Sequence, residues 1–497
     1  MIKARVKQGA ASRRAKDFPV HVQSLQQRHE ASSSGTSNVC NNAVSGTTTS
    51  TEAGHSTNQK ETGDFLTTLY LDTVFPQLFP FYQPETLAGG RVWLLKAINE
   101  DGAVKHAVIS TSAYYFTLIL ARDANHTLRT PCEQHVWDTL ALHMDSSLRI
   151  IKEAMRAYNK AHTSRVKADI FQQTHLLGAI VQQLIFDTVM AQGAGWNMHL
   201  QAALGLFCDI METHGGRNGS FDLQVVLETM EPETSIFDGL DLDFKTWTTE
   251  QASLQFFVAF LIYADVISGI MTGTPPKLQA HHKNLIDDQG GLPALRMEEI
   301  IGCPGWILSL LGEISVVEAS RRVETGNAKT TGGEEERTII AALKSKLEAN
   351  LAPMQSSPGE AFATSPLNSQ RQQVANAWIH GAMLYLLVVE KGCQLPDTET
   401  DHHVQSIINT LESSFPSKLS LRTIMWPYFM AGLLAGPDDE KAFKEAVLKL
   451  GPLKAFGSAK EALGALERVW SLRGETTQSD WRLSDWLGSQ NGFVLLV

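Results

Sequence analysis

From about residue 64 onward, apolar residues recur at helical spacing, with little of the strict alternation that a half-buried strand shows. Leu148, Ile151, Met155 and Tyr158 form one such stripe. Ile307, Leu310, Leu311, Ile314 and Val317 form another, ahead of Arg321 and Arg322. That period commits the chain to helices, each of which must bury a face against a neighbour. Residues 371–390 predict a buried helix around Trp378, Met383, Leu384 and Leu387, ended by Gly392 and Pro396 in the order helix ends prefer. Two polar insertions, roughly 320–338 and 352–370, read as mobile loops. No fixed-period repeat marks a named solenoid. The expected fold class is all-α, a large multi-helix array.

The N-terminal region is of another kind. Residues 30–63 contain no aromatic residue, Leu, Ile or Met and are dense in Ser, Thr, Asn and Gly. Such a segment buries too little apolar surface to offset its ordering entropy, so it reads as a disordered linker, with order beginning near Asp64. Ahead of it, residues 1–29 form a basic arm in which Lys3, Arg5, Lys7, Arg13, Arg14 and Lys16 precede the first acid, Asp17. A cluster of this type serves as a nuclear-import signal, as an arm contacting nucleic-acid phosphates, or as a solubilising tail. Residues 1–63 carry eight Lys/Arg against four Asp/Glu, whereas the rest carries 34 against 49. Only the arm is therefore suited to a polyanion; the body should be repelled by nucleic acid.

Cysteines 40, 132, 208, 303 and 393 are scattered and odd in number, which argues for reduced thiols and against a disulfide framework. The basic, polar start does not resemble a secretory signal. The longest apolar run, Leu254 to Met271, approaches the length of a membrane span but contains Asp265. An unpaired carboxylate is costly in lipid, so a buried core helix is expected and no membrane is a partner.

Catalytic signatures are missing: no phosphate loop, dinucleotide fingerprint, nucleophile elbow or H-E-x-x-H zinc helix occurs. His281-His282 and His402-His403 are adjacent pairs, which project to different sides of a helix and are poorly placed to share a metal. His199 is expected to bond to backbone within a packed helix. Asp265 is the strongest candidate for a perturbed carboxyl, with a structural partner expected. No catalytic or metal-ligating residue is assigned, and the chain is not expected to be an enzyme. A last segment mixes acids with apolar residues over 228–247, including Phe237, Asp238, Asp241, Asp243, Phe244 and Trp247. It reads either as an acidic activation segment or as an acidic loop packing a few aromatics onto the core.

Seven blocks of sequence together resemble one family. They are the aromatic-proline run Tyr70 to Phe81; Trp93-Leu94-Leu95 with His106-Ala107 and Ser112-Ala113-Tyr114; and Trp196-Asn197-Met198-His199-Leu200-Gln201-Ala202-Ala203. Ala264-Asp265-Val266 with Thr272-Gly273-Thr274-Pro275 follows, then Gly302-Cys303-Pro304-Gly305-Trp306 and Met425-Trp426-Pro427-Tyr428-Phe429-Met430-Ala431-Gly432. Val469-Trp470 with Asp480-Trp481 and the final Val494-Leu495-Leu496-Val497 completes the set. In this order they resemble the fungal-specific transcription factor domain, the helical regulatory region of fungal zinc-cluster regulators. Pro427 also fits the first turn of a helix, where its missing N–H costs nothing.

The resemblance implies a helical regulatory domain over 64–497, nuclear localisation, and work through helix packing, self-association or transcriptional coregulators. It also implies a small-molecule effector held between helices. The family reads DNA through six cysteines that hold two zinc ions and place a helix in the major groove. This chain has one cysteine before residue 132, so no zinc or other cofactor is expected in it. The cluster is either lost or lies upstream of Met1. DNA binding by this chain is then expected to be weak, salt-sensitive and confined to the arm. Two other readings are a non-DNA-binding helical scaffold and an all-α metabolic enzyme built around Asp265.

Overall fold

The computed structural model describes residues 51–84, 90–120, 130–163, 169–191, 195–216, 221–230, 247–286, 295–326, 333–355, 366–392, 398–412, 420–472 and 495–497. Every regular element among them is helical. Fourteen helices have nine or more residues. The first seven are α1 (Thr51–Leu69), α2 (Val92–Glu100), α3 (Gly102–Leu120), α4 (Pro131–Thr163), α5 (Ile170–Met190), α6 (Gly195–His214) and α7 (Thr249–Thr272). The others are α8 (Gly305–Gly326), α9 (Gly333–Gln355), α10 (Pro366–Lys391), α11 (Thr398–Glu412), α12 (Met425–Leu434), α13 (Glu440–Leu448) and α14 (Ala459–Leu472). Residues 61–497 form one unit around a continuous apolar core.

Two helices organise this unit. α7 packs against α2, α5, α6 and α8, while α10 packs against α8, α9, α11 and α12. α8 therefore links the two halves. α7 is the long apolar run of the sequence, and eighteen of its residues are buried. A helix surrounded on all sides has no polar face to display, which is why the run lacks an amphipathic stripe. It is long and apolar enough to cross a membrane, yet 94% of its apolar window is buried by other helices. Its start is fixed by a capping box: Thr248 Oγ1 accepts the Gln251 N–H, and Gln251 Oε1 accepts the Thr248 N–H. Gly273, at φ 63°, closes it in the left-handed region.

α12 is the Trp-Pro segment. It starts two residues before Pro427, and all ten of its residues are buried. Trp426 stacks on Trp378 of α10, with ring centroids 5.6 Å apart and planes 10° apart. On the α4 stripe, Ile151 is buried and Met155 and Tyr158 are half-buried against the core. Leu495, Leu496 and Val497 are buried in the same core.

A π-helical turn, Tyr70–Val74, lies between α1 and the short helix Phe75–Leu78. Pro76 explains it: in an α-helix the proline ring would press on the carbonyl four residues earlier, and a widened turn relieves the clash. The Phe75 N–H accordingly reaches back to the carbonyl of Tyr70.

Three boundaries differ from the sequence reading. α1 begins at Thr51, inside the stretch read as linker. α8 runs on to Gly326 and α9 starts at Gly333, so most of the 320–338 insertion is helical. The acids read as a loop, Glu334, Glu335 and Glu336, occupy the first turn of α9, where negative charge opposes the helix dipole. Residues 352–355 and 366–370 of the second insertion are helical as well.

Candidate functional site

The polar groups most able to do chemistry are occupied by the fold. Asp265 is buried in α7, and its Oδ2 accepts the Leu278 N–H at 2.9 Å. Burial pushes its carboxyl up to about 6, opposed by the N–H groups of Leu278 and Lys277. It anchors the turn that follows α7 to the helix itself. Asp265 thus has the structural partner expected of it, a backbone N–H of the turn after α7.

His199 was expected to bond to backbone; instead its Nδ1 lies 2.6 Å from Asp187 Oδ2, joining α6 to α5. The contact ends a longer polar seam. Gln183 Nε2 donates to Asp187 Oδ1 at 3.2 Å, Ser147 Oγ donates to Gln183 Oε1 at 3.1 Å, and Ser147 Oγ also reaches the Ala103 carbonyl. Side chains from α4, α5 and α6, with a backbone carbonyl of α3, thus satisfy one another inside an apolar interface, as buried polar groups must. A clue stood in the sequence: Gln182 and Gln183 interrupt an otherwise apolar run.

The paired histidines go separate ways, as their adjacency predicts. His281 stacks on Phe221 at 3.7 Å, while His282 is fully buried and held down at about 4 by burial. His402 is exposed, and His403 is buried with Nδ1 2.8 Å from Nδ1 of His380. Burial lowers His380 to about 3 and His403 to about 4. A second pair of this type, His106 and His143, joins α3 to α4 at 2.7 Å. No sequence signal marks either pair, because the partners come from different helices. Among the described residues no group of three or more His, Cys, Asp or Glu could hold a metal.

The six-cysteine zinc cluster of such regulators does not fit this chain, which has five cysteines in all. Three lie in described positions, unbonded: Cys132 is exposed, Cys208 half-buried and Cys303 buried. The basic-arm residues Lys3, Arg5, Lys7, Arg13, Arg14 and Lys16 fall outside the described residues, as do Phe237, Asp238, Asp241, Asp243 and Phe244. Trp247 of that acidic segment is half-buried against the core just before α7.

Among the described residues, a concavity beside the π turn has the dimensions of a ligand site. A cavity of about 490 Å3 opens between the π turn, the residues after it and the start of α10; small-molecule pockets span roughly 300–1,000 Å3. Asp72, Gln77, Phe79, Tyr82, Arg91 and Leu367 contribute to its lining. The Tyr82 hydroxyl accepts the Trp93 indole N–H at 2.8 Å, and burial pushes it up to about 12, so it keeps its proton. The Gln77 carboxamide oxygen is buried and accepts no hydrogen bond. The run Tyr70 to Phe81, one of the blocks that carry the family resemblance, walls this cavity, and no local pattern in the sequence marks that role.

Comparisons with known proteins agree with this architecture. Residues 65–487 match the fungal-specific transcription factor domain. The chain is 28% identical to transcription factor dibT of Pestalotiopsis microspora over 86% of this chain and 70% of that protein. It is 25% identical to pestheic acid cluster transcriptional regulator 3 of Pestalotiopsis fici, over 83% of this chain and 71% of the relative. The trichothecene biosynthesis transcription regulator TRI10 of Trichoderma arundinaceum is 22% identical, over 85% of this chain and 92% of that protein. No solved structure matches the chain. With a match running from within α1 to beyond α14 on a body built from helices, the protein belongs to the fungal-specific transcription factor domain family.

Proposed function

We propose that residues 64–497 are the regulatory domain of a fungal transcription regulator that controls a biosynthetic gene cluster. The family match over 65–487 carries this reading. Two relatives support the choice of target, one named for the pestheic acid cluster and one for trichothecene biosynthesis. The domain works by packing: its polar side chains tie helices together, so its output is a surface or a conformation read by coregulators or by a second copy. A small-molecule effector biases that conformation. The protein acts in the nucleus, with Lys3, Arg5, Lys7, Arg13, Arg14 and Lys16 as its import signal. Phosphate contacts from this arm give only weak, salt-sensitive DNA affinity, because the body carries the excess of acids.

The test is a reporter assay with the full chain fused to a foreign DNA-binding domain in a filamentous fungus. Transcription from the cognate promoter should change relative to the DNA-binding domain alone, in at least one growth condition. An unchanged reporter in every condition would contradict the reading.

A further inference from the structure

The cavity beside the π turn carries charges that the fold leaves unused. Asp72 and Arg91 both line it, both are exposed, and neither forms an ion pair with another described residue. Glu299, whose charge also acts on the Tyr82 hydroxyl, pairs with Arg296 at 2.9 Å. The same cavity holds one buried acceptor with no donor, Gln77 Oε1, and one hydroxyl whose proton is free, since Tyr82 accepts from Trp93. Polar atoms left unsatisfied by the protein mark what a ligand must bring. Here the demands have opposite sign. Arg91 and Tyr82 call for an anionic acceptor, whereas Asp72 and Gln77 call for a cationic donor. Asp72 and Gln77 are five residues apart, and the widened π turn brings both to one cavity. Phe79 and Leu367 supply apolar wall.

We propose that this cavity binds a zwitterionic α-amino acid with a bulky apolar side chain. Arg91 and the Tyr82 hydroxyl take its carboxylate, Asp72 and Gln77 Oε1 take its ammonium, and the side chain lies against Phe79 and Leu367. Charge-assisted contacts to both ends exclude ligands that carry one charge only. Leu367 belongs to α10, which also packs on the Trp-Pro helix α12. A ligand seated here ties the π-turn segment to that central helix and so favours one packing of the two over others. The assignment rests on the reading that the domain responds to a small effector.

Isothermal titration of the full chain with phenylalanine, tryptophan and leucine tests the site. Phenethylamine, which lacks the carboxylate, and 3-phenylpropionate, which lacks the ammonium, serve as controls. At least one amino acid should bind saturably at one site, with phenethylamine and 3-phenylpropionate each about tenfold weaker or more than phenylalanine. Arg91→Gln should weaken the amino acid about tenfold and leave phenethylamine unchanged; Asp72→Asn should do the same while leaving 3-phenylpropionate unchanged. Both side chains are exposed, and circular dichroism verifies that the variants fold. No saturable binding of any of the three amino acids, or equal binding of the single-charge analogues, overturns the assignment. Binding without any reporter response would instead count against the effector reading and leave the site standing.

Discussion

Asp265 shows how a buried acid serves a helical fold. Its carboxylate holds the N–H groups that begin the turn after α7, and burial raises it from an ordinary 3.8 to about 6. The folded state therefore binds this proton more tightly than the unfolded chain does. Its contribution to stability is complete at low pH and is lost as pH rises from about 4 through about 6. Asp265→Asn keeps an acceptor for the Leu278 N–H and has no proton to lose. Urea titrations across that window should show the variant losing its share of the slope, a difference on the order of 2–3 kcal/mol. An identical pH dependence in wild type and variant would remove Asp265 from the account. Arg422 is a related case with the opposite charge: its Nη1 is buried without a hydrogen-bond partner, and burial lowers it to about 10.

At the scale of elements, close approach decides which helices can meet. Trp470 Nε1 of α14 donates to the Gly432 carbonyl of α12 at 2.9 Å. A Cβ on Gly432 would lie 2.5 Å from Leu466 Cδ1 and 3.3 Å from Phe443. Leu466 and Phe443 are themselves fully buried, so neither has room to retreat. Gly432→Ala should cost about 1–3 kcal/mol, the range of an overpacked core, seen as a lower urea midpoint with unchanged slope. A midpoint equal to wild type would mean that α12 and α14 are not packed as described. The same close contact explains why the Trp-Pro signature ends in glycine. Its sequence announced a buried helix with a proline in the first turn, and the structure has that helix. The reason for Gly432 lay in a partner 34 residues further on, and periodicity carries no such information.

At the scale of the molecule, buried histidines outnumber buried acids among the described residues, and this shapes the response to acid. His282, His380 and His403 are each held neutral, at about 4, about 3 and about 4, by burial and by neighbouring histidines. The groups facing the His380–His403 pair are His402, Glu399 and Lys344, and Glu399 is already paired with Lys344 and Lys391. Folded pKa values below the unfolded 6.5 mean that the unfolded chain takes up protons first. Stability is full above about pH 6.5 and falls as pH drops toward the folded values. Asp265 works in the opposite sense. Thermal melts should therefore show a Tm that falls between about pH 6.5 and about pH 4, by the equivalent of a few kcal/mol. His380→Gln should flatten part of that fall; an acid-insensitive wild type would contradict it.

What the sequence determined by itself was the period and the ends. Apolar spacing made residues 64 onward helical, Thr248 and Gly273 bounded α7, and the order of aromatic, proline and glycine blocks identified the family. Those properties are local, set by side chains within a few residues of one another. Only the tertiary structure decided which polar groups meet. The His380–His403 pair, the seam from Ala103 to His199 and the cavity shared by Asp72, Gln77, Arg91 and Leu367 each draw on separate helices. Such contacts are chosen by how helical faces dock, and a one-dimensional pattern fixes the face of a helix but not the neighbour that covers it.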